Sequence, residues 1–342
     1  MPQQNRQWLL AARPTGMVRE QHFELAESPI PEPAEGEIVI QSQYWTVDPY
    51  MRGRMSDRKS YSDPVKIGEV MTGQAVGEVI ASRSDRFKVG DHVLASVGWQ
   101  EFGAVPSKEA RRLNPDVAPI SAALHVLGMP GLTAYFGLLD VIQAKAGQTI
   151  VVSGAAGAVG STVGQIAKIK GCRTVGIAGS DEKTQWLTKD LGFDAAINYK
   201  TSGNLFKELK KHCPDGIHGY FDNVGGPTTD AVFPLLAMNG RIGICGQISQ
   251  YNLDQAETGP RLLWNLIVKR ATIQGFLVFD FEDRYREALT DLSKWVQDGS
   301  LQYKEHLIEG FDKMPKAFIG LFEGTNTGKQ LIRAKHTPSS HL

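Results

Sequence analysis

Cysteine is scarce in this chain: Cys172, Cys213 and Cys245 are the only three in 342 residues, and they lie in separate segments. An odd number without paired spacing excludes a disulfide framework and points to a reduced, cytosolic protein. Net charge is lacking as well, since Lys plus Arg and Asp plus Glu number 37 each. No field of one sign is therefore available to hold nucleic acid or an anionic membrane, and a small-molecule partner fits better. Long apolar runs are missing too. The patch Trp8 to Ala12 is ended by Arg13 and Pro14, too short for a signal-peptide core, and the apolar stretch from Thr149 to Ala167 is broken by glycines, serines and a glutamine. No targeting or membrane segment is expected. Repeats and low-complexity segments are absent, and the polar end HTPSSHL is expected to fray. None of the eight histidines forms an i, i+4 pair around an acid, which excludes that hydrolytic zinc motif.

What is present is ordinary globular composition, 42% hydrophobic and 22% charged, in a chain long enough for two domains. The segments EGEIVIQSQYWTVDPY, MTGQAVGEVIAS and KVGDHVLAS combine β-branched residues with glycine or aspartate punctuation and read as an all-β module. From Gly147 onward apolar strands alternate with amphipathic helices, the pattern of βαβ units and a parallel sheet. The boundary is placed near Met129. Six strands are expected: Thr149 to Ser153, Arg173 to Ala178, Ala195 to Tyr199, Gly219 to Asp222, Arg241 to Cys245 and Thr272 to Phe279. That is a full Rossmann count, so the fold class is α/β with a doubly wound parallel sheet beside a β-rich domain. The lysine run from Lys207 to Lys211 reads as the solvated face of one helix.

The segment TIVVSGAAGAVGSTVGQIAKIKG is a buried strand, a glycine-rich turn and a helix. Gly157 lets backbone approach a pyrophosphate and Gly160 lets the helix pack on the strand. The helix-start amides, at Ala158 and Val159 among them, point at phosphate oxygens. Ala155 stands where the usual fingerprint has glycine. The fingerprint's acidic residue, which holds the ribose hydroxyls of NAD, is missing after the second strand, which ends in Ala178-Gly179-Ser180. Its loss makes room for a 2′-phosphate with Lys183 as counter-charge, so NADPH is the expected cofactor. The alternative is a solvated Lys183 with Asp181 turned inward for NADH.

Zinc alcohol dehydrogenases share this plan but need Cys and His ligands. Here no cysteine precedes Cys172, and Glu69 and Val70 replace the His and Glu of their G-H-E-x-x-G string, so no metal is expected. With VDPYMRGRM, GMPGLTAY, SGAAGAVG, AGSDEK, FDNVGG, CGQISQYN and QGF in order over nearly the whole chain, the sequence resembles the zinc-independent medium-chain dehydrogenase/reductases. Within them it is similar to the branch of prostaglandin, alkenal double-bond and curcumin reductases.

The resemblance implies a GroES-like catalytic domain in residues 1–128, a Rossmann domain in 129–299 and a segment, 300–342, returning to the first, with the active cleft at the junction. It implies that Lys183 and Tyr199 surround the 2′-phosphate and that Asn223 lies near the adenosine. Cys245, Gly246, Gln247, Ile248, Ser249, Gln250 and Tyr251, with strand residues Phe276, Leu277 and Val278, would line the ribose and nicotinamide. Asn326 would reach in from the tail. A homodimer joined through the edge strand Thr272 to Phe279 is also implied.

The expected reaction is reduction of a carbon-carbon double bond conjugated to a carbonyl, by hydride transfer to the β-carbon. Negative charge then gathers on the carbonyl oxygen, which calls for a hydrogen-bond donor. Tyr251 is the first candidate, with Tyr50 and Tyr61 from the β-module as further ones. For those two, a core role for Tyr50 and a loop role for Tyr61 are equally open. Met51, Met71, Met129 and Phe276 are expected either as apolar pocket lining or as ordinary core. Quinone reduction and a catalytically silent NADPH-binding module are the competing readings.

Overall fold

The computed structural model describes residues 4–335, so the expected frayed end HTPSSHL lies outside the described residues. The chain divides into two compact units. The first holds the described chain up to Leu124, Glu305–Asn326 and the described chain from Gln330, and the second holds His125–Lys304 and Thr327–Lys329.

In the first unit β1 (Gln4–Leu10) pairs antiparallel with β2 (Phe23–Pro29). The long β3 (Glu37–Thr46) pairs with both β4 (Ala75–Ser82) and β6 (Phe102–Pro106), and β4 continues through β5 (His92–Ala95) to β7 (Arg111–Leu113). The β4 backbone approaches β3 so closely that a Cβ on Gly77 would lie 2.0 Å from the Gln41 carbonyl oxygen, so only glycine is tolerated there. The core beneath this sheet is aromatic: Phe23 stacks on Trp99 with centroids 5.4 Å apart, and the buried Trp45 satisfies its indole by donating to Gln100 O at 2.8 Å.

The second unit is built on a six-stranded parallel sheet. Its strands are β8 (Thr149–Ser153), β9 (Arg173–Ala178), β10 (Ala195–Asn198), β11 (Ile217–Asp222), β12 (Leu236–Ile244) and β13 (Thr272–Gly275), in the spatial order β10-β9-β8-β11-β12-β13. All five residues of β8 are buried, which is why Ile150, Val151 and Val152 follow one another without polar alternation. The strand order reverses between β8 and β11, the topological switch point at which such sheets bind ligands. β13 sits at the sheet edge with all four residues exposed. Beyond these, β14 (Glu305–Glu309) and β15 (Lys329–Arg333) extend the first unit's sheet to the order β14-β15-β3-β4-β5-β7.

One expected strand is corrected. The segment Thr272 to Phe279 is paired as a strand only as far as Gly275, because the Leu277 N–H donates to the Asp280 carboxylate at 3.1 Å and a 3-10 helix, Val278–Arg284, begins after it. A local side-chain bond competes with the sheet ladder and wins. Phe276 and Leu277 are therefore connecting residues and Val278 the first helix residue, none of them in the strand. The lysine run lies on the helix Leu205–His212, with Leu209 buried beneath and Phe206 exposed. Among the described residues no helix is long and apolar enough to cross a membrane.

Candidate functional site

The glycine-rich turn follows β8 directly and opens the helix Ala158–Ile169. A Cβ on Gly160 would meet Gly154 O at 2.4 Å and Ala155 Cα at 2.8 Å, so the helix packs on the turn only because this residue lacks one. Gly157, at the helix cap, supplies no side-chain cap, so the first amides are not capped by their own turn. Ala155, the departure from the fingerprint, is fully buried and its N–H donates to Ile177 O at 3.0 Å. Its extra methyl is accommodated across the sheet, where a Cβ on Gly176 would stand 3.0 Å from the Ala155 Cβ. The neighbouring strand supplies the small residue that this contact requires. The Gly328 N–H donates to Ala156 O at 2.8 Å and Gly328 pairs with Gly157 in a parallel bridge, so the short stretch Thr327–Lys329 braces the turn. Asn326 precedes that braced stretch in the chain.

At the end of β9, Ser180 caps the helix Asp181–Lys189, its hydroxyl accepting from Lys183 N at 3.3 Å. Lys183 is half-buried, and its ammonium is held below the usual lysine range by burial first and then by repulsion from Lys200, against a weaker pull from Glu182. A Cβ on Gly179 would meet Tyr199 Cε1 at 3.1 Å and Lys200 Cε at 3.4 Å. Gly179, Lys183, Tyr199 and Lys200 thus form one group. The Asp181 carboxylate does not turn inward to it; it accepts from Asn198 Nδ2 at 2.7 Å. Two ammonium groups beside a phenol and no inward carboxylate suit a 2′-phosphate and oppose the bare ribose of NADH.

The other wall of the switch point is organised by Asp222, a fully buried carboxylate at the end of β11. Its Oδ1 accepts from Ser153 Oγ at 3.0 Å, Tyr220 Oη at 2.9 Å, Val224 N at 3.0 Å and Gly225 N at 2.9 Å, and its Oδ2 accepts from Thr229 Oγ1 at 2.5 Å. Five donors on one carboxylate fix the turn that carries Asn223, whose side-chain amide donates to Ser153 O at 2.7 Å. The loop after β12 zips onto the same stretch. Cys245 N and Gly246 N donate to Asp222 O, Ile248 N to Asn223 O, and Ser249 N to Val224 O. Burial, helped by Asp222, pushes the Cys245 thiol up to about 12, so it is inert as a nucleophile. Gln250 reaches Glu257 at 2.9 Å, and Tyr251 folds back so that its phenol oxygen accepts from Gln247 N at 3.2 Å. Because the oxygen accepts there, the phenolic proton is directed elsewhere.

Phe276 packs edge-on against Phe221 at 6.0 Å and lies so close to Gly137 that a Cβ there would come within 2.4 Å of its ring. Met129 is half-buried at the start of the helix Met129–Phe136. In the first unit the structure brings Tyr50 and Tyr61 into electrostatic range of one another. Tyr50 hydrogen-bonds with Thr72, and burial pushes its phenol well up, so it is a protonated donor. Tyr61 is 54% exposed. Met51 and Met71 have zero exposure within the first unit's core, and they take the core alternative: no face of either is left to line an open pocket.

Three contributors were not singled out from the sequence. Lys200 stands beside Tyr199 in the string INYK, but a surface lysine carries no signal by itself. Asp222 belongs to FDNVGG, in which the resemblance marks Asn223 and not the acid. His125 is fully buried below the turn, against Tyr303 with centroids 5.6 Å apart. Its ring nitrogens find no hydrogen-bond partner of good geometry among the described residues, although the Ala158 backbone is near.

Residues 6–113 match the family model described as the N-terminal domain of oxidoreductase, and residues 158–294 match that of a zinc-binding dehydrogenase. A putative NADP-dependent oxidoreductase of Bacillus subtilis is 51% identical over 95% of this chain and 96% of its own length. The NADPH-dependent curcumin reductase of Escherichia coli is 43% identical over 97% of each. The crystal structure of CurA from Vibrio vulnificus in complex with NADPH superposes with a TM-score of 0.93 at 48% identity, covering 97% of this chain and 100% of that one. Despite the second model's description, no group of three or more His, Cys, Asp or Glu side chains that could hold a metal ion occurs among the described residues. Fold, turn and relatives agree that this chain belongs to the medium-chain dehydrogenase/reductase family, in its zinc-independent branch.

Proposed function

We propose that this protein is an NADPH-dependent reductase of the carbon-carbon double bond of α,β-unsaturated ketones and aldehydes, with curcumin-like enones, alkenals and oxidised lipids as the substrate class. The observation that carries the reading is the group at the end of β9: Lys183, Tyr199 and Lys200 gathered around Gly179, with Asp181 turned away. The relatives support it, one being named a curcumin reductase and one crystallised with NADPH.

On this reading Ala158, Val159 and Gly160 present amides to the pyrophosphate over Gly157, and Asn223 and Asn326 lie toward the adenosine and the tail side. The Cys245–Tyr251 loop, held by the Asp222 turn, and Phe276 to Val278 border the ribose and nicotinamide. NADPH, when bound, supplies the hydride that goes to the β-carbon of the acceptor. The chain's own task is then to stabilise charge on the carbonyl oxygen and to exclude water. Tyr251 is the donor favoured for that oxygen or for the ribose, because it is the phenol of the Cys245–Tyr251 loop, folded back onto the Gln247 N–H. Tyr50, protonated through burial, and Tyr61 are proposed on the substrate side, with Met129 and Phe276 as apolar lining. Residues 129–299 hold the coenzyme, and 1–128 with 300–342 form the catalytic part.

A homodimer through the β13 edge is part of the proposal. Unpaired edge groups and the neighbouring Leu263, Trp264 and Ile267, each 65–70% exposed, form a surface suited to a second copy. A reducing, cytoplasmic setting agrees with three free cysteines.

The test follows NADPH absorbance with a panel of enals and enones, and with quinones for comparison. Consumption with enones is expected, and Tyr251→Phe should lower kcat by roughly tenfold or more while NADPH affinity changes less. Turnover of quinones alone would replace the reading with quinone reduction, and no turnover of any acceptor would leave a coenzyme-binding module.

A further inference from the structure

We propose that Lys200 is a second cation for the 2′-phosphate of the coenzyme, and that Asp181, acting through Asn198, is a positioning residue that holds it there. This rests on the coenzyme reading above and adds to it the residues that set the choice between NADPH and NADH.

The chain of contacts is short. Asp181 Oδ1 accepts from Asn198 Nδ2 at 2.7 Å, and Asn198 Oδ1 in turn accepts from the Lys200 backbone N–H at 3.1 Å. The Asn198 carbonyl accepts from Ser202 N at 2.9 Å and Thr201 N at 3.2 Å, while Tyr199 N donates to Ala178 O at 3.1 Å. The end of β10 is thereby locked into a turn that delivers Tyr199 and Lys200 together toward Gly179. From there the Lys200 Nζ stands 6.0 Å from the Tyr199 ring centroid, and its Cε would be 3.4 Å from a Cβ on Gly179.

That placement opposes what charge alone would favour. Lys200 forms no ion pair among the described residues, and it faces Lys183 closely enough to repel it. Asp181, two residues before Lys183, spends its carboxylate on Asn198. An arrangement that brings two cations together and commits the nearby acid elsewhere is relieved by a dianion between them, and the 2′-phosphate is such a group. The acid that sequence logic offers to an NADH ribose therefore serves the phosphate site instead.

Adenosine 2′,5′-bisphosphate and adenosine 5′-monophosphate differ only in the 2′-phosphate, and calorimetry with both reads the site without turnover. Wild type should bind the bisphosphate more tightly. Lys200→Ala should weaken the bisphosphate by roughly tenfold, as Lys183→Ala should, and leave the monophosphate within about twofold, which also reports an intact fold. Asp181→Ala should weaken the bisphosphate alone, by roughly threefold to tenfold, and Asp181→Asn should restore it, because an amide oxygen still accepts from Asn198. Bisphosphate binding unchanged in Lys200→Ala overturns the second cation. Tighter bisphosphate binding in both Asp181 variants overturns the positioning role, since it would mean that the acid merely repels phosphate. Should wild type bind neither probe, the coenzyme reading falls, an outcome distinct from either.

Discussion

The two units carry their candidate residues in different ways. In the parallel-sheet unit, the site is made largely of backbone: a glycine-rich turn, a buried carboxylate that fixes the next turn, and a loop zipped onto it by main-chain bonds. In the β-rich unit the candidates are side chains near one short helix, Met51–Arg54, and of four named there two, Met51 and Met71, are core. The contrast teaches that motif spacing locates a candidate site when its features are set by the backbone, as in a strand-turn-helix. It does so poorly when a side chain must choose between a core and a surface.

The largest expected effect falls on the first half of that comparison. Asp222→Ala leaves five donors around a vacated, buried position, and should cost about 3–5 kcal/mol in chemical denaturation, with loss of coenzyme binding. A cost within about 1 kcal/mol would show that the turn holds without it. On the other side, Met51→Ala should lower stability by about 2–5 kcal/mol, the range for emptying a core site. A stable Met51→Ala with altered enone KM would return Met51 to the pocket.

His125 sharpens the contrast through pH. Burial, reinforced by Lys329, pushes its pKa from the usual 6.5 down to about 3. Above about pH 6.5 the ring is neutral folded or unfolded, and full stability is present. Below it the unfolded chain takes up a proton that the folded one refuses, so stability falls by about 1.4 kcal/mol per pH unit until the folded pKa is passed. Denaturation midpoints between pH 7 and pH 4 should show that slope reduced in His125→Leu, and an unchanged slope would place the titration elsewhere. The smallest effect is expected at Tyr61: exposed as it is, Tyr61→Phe should change stability by less than about 0.5 kcal/mol. Its effect on kcat then separates a substrate-facing phenol from a loop residue.

Much of the coenzyme unit was legible. β8 and β9 have the ends expected of them, and the Asp181–Lys189 helix is capped by Ser180 with its acids in the first turn. These are local effects, periodicity and capping, and local sequence carries them. The strand expected to reach Phe279 stops at Gly275, because its apolar composition favours extension whereas Asp280, just beyond, bonds the Leu277 N–H and ends it. The compensation of Ala155 by Gly176 was invisible for another reason: the residues are far apart in sequence and meet only across paired strands.

By itself the sequence determined the class of fold, the glycine-rich turn between strand and helix and the absence of a carboxylate after the second strand, since each depends on residues within a few positions of one another. Tertiary structure alone decided that Asp181 bonds Asn198 instead of turning inward, that Lys200 joins Lys183, and that Met51 and Met71 are core. Those outcomes depend on which distant segments come into contact, and burial, repulsion and hydrogen-bond competition act only once they have.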